Sequence, residues 1–133
     1  MAVIQNDSGR AHAEAIKATL RLGQLWHLPD SVLSTLLGGL PAVVLRDWRD
    51  QLGASASVDA VLTPEQLDRV GCLLGIYKAL HTLFPDDDQA DGWIKRANMD
   101  PVFEGRSALD ILRQGRIEDL QFVRHYLEGA CQA

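Results

Sequence analysis

No run of about eighteen apolar residues, the length a membrane-spanning helix needs, occurs in this 133-residue chain. Met1 to Arg10 has neither a basic start nor an apolar core of the export kind, so no signal peptide is expected and the cytoplasm is the expected location. Cysteine is scarce. Cys72 and Cys131 are the two, and in that compartment they read as free thiols rather than a disulfide framework. Positive charge is also short: 13 Lys and Arg against 18 Asp and Glu leave −5, which argues against binding nucleic acid through bulk basicity. The signatures of catalysis are missing as well. His12, His27, His81 and His125 form no i, i+4 pair with a carboxylate partner, and none stands at ligand spacing from a cysteine. Gly71 and Gly75 fall inside a helical pattern rather than in a phosphate loop, and no serine sits on a nucleophile elbow. No catalytic, cofactor-binding or metal-binding residue is therefore expected, and the chain does not read as an enzyme.

What is present is helical periodicity in an ordinary composition, 47% hydrophobic and 23% charged. The pattern gives an all-α fold. Its organising stretch is Thr63 to Phe84. Thr63 suits an N-cap, Pro64 the first helical position, and Gln66 completes a capping-box spacing; Pro85 ends the run. Leu67, Val70, Leu73, Leu74, Ile76, Tyr77, Leu80, Leu83 and Phe84 cover well over half of this helix. So wide an apolar face is covered on most sides, either by the chain itself or in part by a second copy. Gly71 and Gly75 would let a neighbour approach closely.

The first half has a different plan. Met1 to Arg10 reads as a loose N-terminus, followed by a helix from Ala11 to Leu28 that Pro29 closes. Asp30 or Ser31 caps a short second helix that Gly38 and Gly39 end, and Pro41 opens a third with Leu45, Trp48 and Leu52 inward. Two short helices joined by a glycine turn and supported by a third resemble a helix-turn-helix module. Its outward positions include Ala42, Arg46 and Arg49, the candidate DNA contacts, with Lys17 and Arg21 as further phosphate partners. Asp47 and Asp50 oppose that role. Residues 53–60 read as a linker, which puts a domain boundary near residue 58 and gives two domains, 1–58 and 59–133. The acidity lies in the second, with thirteen acids against eight Lys and Arg.

Beyond the long helix, Asp86, Asp87 and Asp88 read as the start of a short helix rather than as metal ligands, since acids favour a helix N-terminus. Trp93 and Ile94 anchor that helix, and Asn98 to Glu104 is irregular, with Val102 and Phe103 expected to tuck inward. Ser107 caps a further helix, Gly115 ends it, and the last helix runs from Ile117 to Glu128 with Gly129 as its stop.

Arg69-Val70, Leu83-Phe84, Trp93-Ile94, Asn98, the run Gly105 to Leu112, Gly115 and Leu127-x-Gly129 follow one another in a familiar order and spacing. In these residues the chain resembles a bacterial antitoxin of the Xre/MbcA/ParS type, well over 64–133 and less closely over 11–53. One departure is Ala108, where the family commonly has proline. The resemblance implies a protein that neutralises an NAD-consuming RES-type, or ADP-ribosyltransferase-like, toxin. It also implies that the C-terminal end enters the toxin's cleft and that the N-terminal domain represses the shared operon. On that basis Trp93, Arg106, Arg124, Tyr126, Gly129, Ala130, Cys131, Gln132 and Ala133 are the candidate toxin contacts. The expected partners are the cognate RES-type toxin, a second copy of the chain in a homodimer, and operator DNA. A helix-turn-helix transcriptional regulator with a dimerisation domain and no toxin partner is the other reading the sequence leaves open.

Overall fold

A computed structural model of the chain describes the backbone of residues 2–55 and 57–132, with side chains from Arg10 onward. Among these residues seven α-helices follow one another: α1 (Ala2–Leu25), α2 (Asp30–Leu36), α3 (Ala42–Ser55), α4 (Pro64–Leu83), α5 (Asp87–Gly92), α6 (Ala108–Leu112) and α7 (Ile117–Cys131). Short 3₁₀ turns stand at Trp93–Lys95 and Pro101–Phe103. Among the described residues there is no strand, only one bridge between Ala97 and Ser107.

Helix α4 starts as its sequence requires. The Thr63 hydroxyl accepts from the Gln66 amide at 3.1 Å, and the Gln66 side chain accepts from the Thr63 amide at 2.8 Å. Two of the orphan amides of the first turn are thereby satisfied. Its wide apolar face is covered by this chain: α7 packs along one flank, α1 along another, and α5 closes the C-terminal end. Val70, Cys72, Leu73, Ile76, Ala79 and Leu80 are all buried there, and Leu67 is the large apolar residue of α4 left exposed.

Two hydrophobic clusters share this helix. One joins Leu22 of α1, Trp26 just after it, and Val32 and Leu36 of α2 to α4, α6, α7, Ile94 and Phe103. The other holds Ile16, Leu20, Leu33, Leu45 and Trp48 of the first three helices and Leu37 at the end of α2 with Val70 of α4. Val58, in the stretch read as a linker, and Leu62 just after it are buried in that second cluster, and the Leu62 amide donates to His12 Nδ1 at 2.9 Å. Residues 1–58 and 59–133 thus meet across packed apolar side chains.

In the first two helices three boundaries differ from expectation. The stretch expected to be loose is helical from Ala2, continuous with the helix that follows it. The same helix ends at Leu25 rather than Leu28, because His27 turns into the left-handed region at φ 52°. Helix α2 has Pro29, not Asp30 or Ser31, at its cap, and no side chain caps it. Asp30 lies in the first turn, where its charge is favoured. Between α2 and α3 the chain turns through Gly38 and Gly39 at φ 93° and 87°, a conformation that suits residues without a Cβ.

Candidate functional site

The connection between α5 and α6 is irregular yet tightly tied. The Asn98 amide donates to the Arg106 carbonyl at 3.1 Å, so the loop is pinned at its two ends. Inside it, the Asn98 side chain accepts from the Asp100 amide at 2.9 Å, and Asp100 accepts from the Val102 amide at 3.2 Å. These are the local turns that short polar side chains make with the backbone just ahead of them. Glu104 and Gly105 then reverse the chain at φ 53° and 79°. Ser107 and Asp110 form a second capping box, which starts α6.

One side chain of this loop goes in and its neighbour goes out. Phe103 is fully buried and meets Tyr126 edge-on at 4.9 Å and Trp93 edge-on at 6.0 Å. Val102, expected to tuck inward with it, is instead 53% exposed. A single 3₁₀ turn points successive side chains in different directions, so only one of the two reaches the core. Met99 is 92% exposed on the same loop, and Phe122 of α7, packed on the outer side of Phe103, is 39% exposed. Tyr126 ties loop to helix: its hydroxyl donates to Asp100 Oδ2 at 3.0 Å. Burial, and then this carboxylate, push the Tyr126 hydroxyl above its ordinary pKa.

The opposite side of α7 belongs to α4. Arg124 donates to Glu128 at 3.0 Å and to the Gly71 carbonyl at 3.3 Å, and its hydrogen bond to Glu128 is the main cause of a raised guanidinium pKa. Helix α7 continues through Gly129 to Cys131, so Gly129 is not its stop. Ala130 and Cys131 form its last turn rather than projecting past it, and Cys131 Sγ lies 3.6 Å from the Ala79 carbonyl. That turn has α4 to pack against, which outweighs one glycine's helix penalty of roughly 1 kcal/mol.

The nine expected toxin contacts therefore separate. Tyr126, Gly129 and Ala130 fall with Phe122 on one stripe of α7 by i, i+3 and i+4 spacing, and Trp93 stacks beside Tyr126 at 6.3 Å. Arg106 is partly exposed on the neighbouring loop, 3.9 Å from Glu104. Arg124 and Cys131 face α4, Gln132 is exposed at the helix end, and Ala133 lies outside the described residues. Sequence reasoning missed Met99, Asp100 and Phe122. The Asn98-x-Asp100-Pro101 pattern was the available signal, since it encodes the two turns that fix the loop.

The three expected DNA contacts sit on α3. Ala42 and Arg46 are exposed, and Arg46 has no ion pair among the described residues. Arg49 is engaged, donating both terminal nitrogens to the two oxygens of Asp30 at 2.6 Å each. That fork holds the Asp30 carboxyl below its usual range.

A groove of about 490 Å³ runs between α1 and the α4–α5 corner, floored by Leu22, Leu25, Leu74 and Tyr77. His81 stands at its end, 2.8 Å from Asp91 and 3.3 Å from Asp87, as a partly buried and hydrogen-bonded histidine. Among the described residues no group of three or more His, Cys, Asp or Glu is placed to hold a metal ion. None of the helices described is long and apolar enough to cross a membrane.

The family model of the antitoxin Xre/MbcA/ParS C-terminal toxin-binding domain matches residues 79–130, from the last turns of α4 almost to the end of α7. An uncharacterised protein of Sinorhizobium fredii (strain NBRC 101917 / NGR234), y4oB, is 36% identical over 124 residues, which cover 93% of this chain and 88% of that protein. No solved structure matches the chain. The matched segment contains α5, the tied loop, α6 and the aromatic stripe of α7, and the relative spans nearly the whole chain: the chain belongs to the Xre/MbcA/ParS antitoxin family, with its C-terminal toxin-binding domain at residues 79–130.

Proposed function

We propose that this chain neutralises an NAD-consuming toxin of the RES type by covering its cleft with the end of α7 and the loop beside it. The observation that carries this reading is the match of residues 79–130 to a toxin-binding domain. The geometry supports it in one respect. The exposed ring edges and small residues of α7, from Phe122 through Tyr126 to Gly129 and Ala130, run along one stripe toward the helix end. Small side chains at that end let a helix terminus enter a narrow cleft. Trp93 and Arg106 flank the entrance in this reading. Arg124 acts at one remove, holding α7 against α4 through Gly71.

The same chain also represses its operon in this proposal, with 1–58 as the DNA-binding domain, 59–133 as the toxin-binding domain, and two copies paired so that two modules face one operator. Arg46 is its foremost contact, because Arg49 is held by Asp30. The test is co-expression with a cognate RES-type toxin, in cells whose growth and NAD content are followed. Restored growth with NAD held at the uninduced level is the expected result. Collapse of NAD despite a well-expressed, folded chain would leave only the transcriptional regulator.

A further inference from the structure

We infer that Met99 and Val102, with Phe122 of α7, which packs on Phe103 of the same loop, form an apolar contact by which this chain seats on its toxin. This deepens the toxin-binding reading and rests on it. The three side chains are 92%, 53% and 39% exposed, and no other part of the toxin-binding segment exposes a large apolar side chain among the described residues. Exposure on a floppy loop would mean little. This loop is held by the Asn98 and Asp100 turns, by Tyr126 on Asp100, and by Phe103 as a buried plug. A loop so fixed has already lost its conformational freedom, so the ordering cost of binding falls. Apolar side chains on a fixed backbone, with Asp100, Glu104 and Arg106 as polar neighbours, have the anatomy of an interface centre.

The occupant is the toxin rather than a second copy because the patch lies within the segment that matches a toxin-binding domain and adjoins the proposed toxin contact. Among the described residues the other exposed large apolar side chains, Val43, Val61 and Leu67, lie outside that segment. Phe122 and Ala130 lie eight residues apart on one stripe of α7, about 12 Å at 1.5 Å per residue. A protein that receives the end of α7 in its cleft extends over Phe122, Val102 and Met99 at the cleft's outer wall.

The experiment uses the full chain and the RES-type toxin of the co-expression test. Met99→Ser and Val102→Ser are combined, since neutral polar side chains remove the apolar contact without adding charge that would steer association. Affinity should fall on the order of thirtyfold, while circular dichroism, melting and oligomeric state stay as in the parent. Met99→Leu with Val102→Ile should bind as the parent does. If the serine pair binds toxin as tightly as the parent, the contact is wrong. It is equally wrong if the pair changes the oligomeric state and leaves toxin affinity intact, since the patch then serves a second copy. A parent chain that fails to capture the toxin overturns the antitoxin–toxin reading, and this contact with it.

Discussion

The guanidinium of Arg124 lies across Gly75: a Cβ built at residue 75 would stand 2.5 Å from its Nε and 2.8 Å from its Cζ. A glycine on the apolar helix is thus explained by a side chain of the chain's own last helix, which reaches over α4 to the Gly71 carbonyl. Gly71 itself has open space where a Cβ would go.

The two glycines should therefore respond differently to alanine. Gly71→Ala gains helix propensity, so stability should rise by roughly 0.5–1 kcal/mol. Gly75→Ala gains the same propensity but must displace the flexible Arg124 side chain from the Gly71 carbonyl, a hydrogen bond of about 0.5–1.5 kcal/mol. Urea denaturation should place it below Gly71→Ala. Equal stabilities would mean that Arg124 moves aside without consequence.

Phe103 and Val102 are adjacent, but the core sees only one of them. Phe103→Ala removes a fully buried ring and should cost about 3–5 kcal/mol. Val102→Ala, at an exposed position, should stay within about 0.5 kcal/mol of the parent. Thermal melts of the two variants check the assignment, and comparable losses would contradict it.

The Arg49–Asp30 fork joins α3 to α2 and carries a pH signature. Both side chains are about two-fifths exposed, at 39% and 40%, so the pair contributes no more than about 0.2–1 kcal/mol. Asp30's folded pKa lies below its ordinary 3.8. The stabilisation is thus present above the unfolded value and is lost as pH falls through the folded one. The stability gap between the parent and Arg49→Ala should shrink as pH drops below 3.8. On operator DNA, Arg46→Ala should weaken binding more than Arg49→Ala does, and both complexes should weaken with salt. Fluorescence anisotropy at two salt concentrations reads both effects.

Deleting residues 129–133 removes the last turn of α7 and the Cys131 contact with the Ala79 carbonyl. We expect a modest loss of stability, on the order of 1 kcal/mol, with the helical spectrum retained. Toxin neutralisation should fall much further than stability does. Truncated chains that protect cells as well as the parent would move inhibition to the face around Trp93, Arg106 and Met99.

By itself the sequence determined the elements whose causes are local. The Thr63–Gln66 and Ser107–Asp110 boxes, the Pro85 stop and the glycine turn at 38–39 all act within a few residues, so spacing alone locates them. The antitoxin resemblance was legible for the same reason, being an ordered set of short motifs. Tertiary structure decided what depends on partners distant in the chain. Whether the wide face of α4 needed a second copy turned on α1 and α7 covering it, and no periodicity states which helix will do so. Gly129 halts a helix in isolation, yet α7 passes through it because α4 offers Cys131 a place to pack. Arg49 reads as a free surface cation until Asp30, nineteen residues away, is brought within 2.6 Å. The outward turn of Val102 and the exposure of Met99 likewise depend on Tyr126 gripping Asp100 across 26 residues of chain. The physical reason is common to all four. A local rule fixes a backbone's preferences, whereas burial and hydrogen-bond satisfaction belong to whichever surfaces the fold brings together.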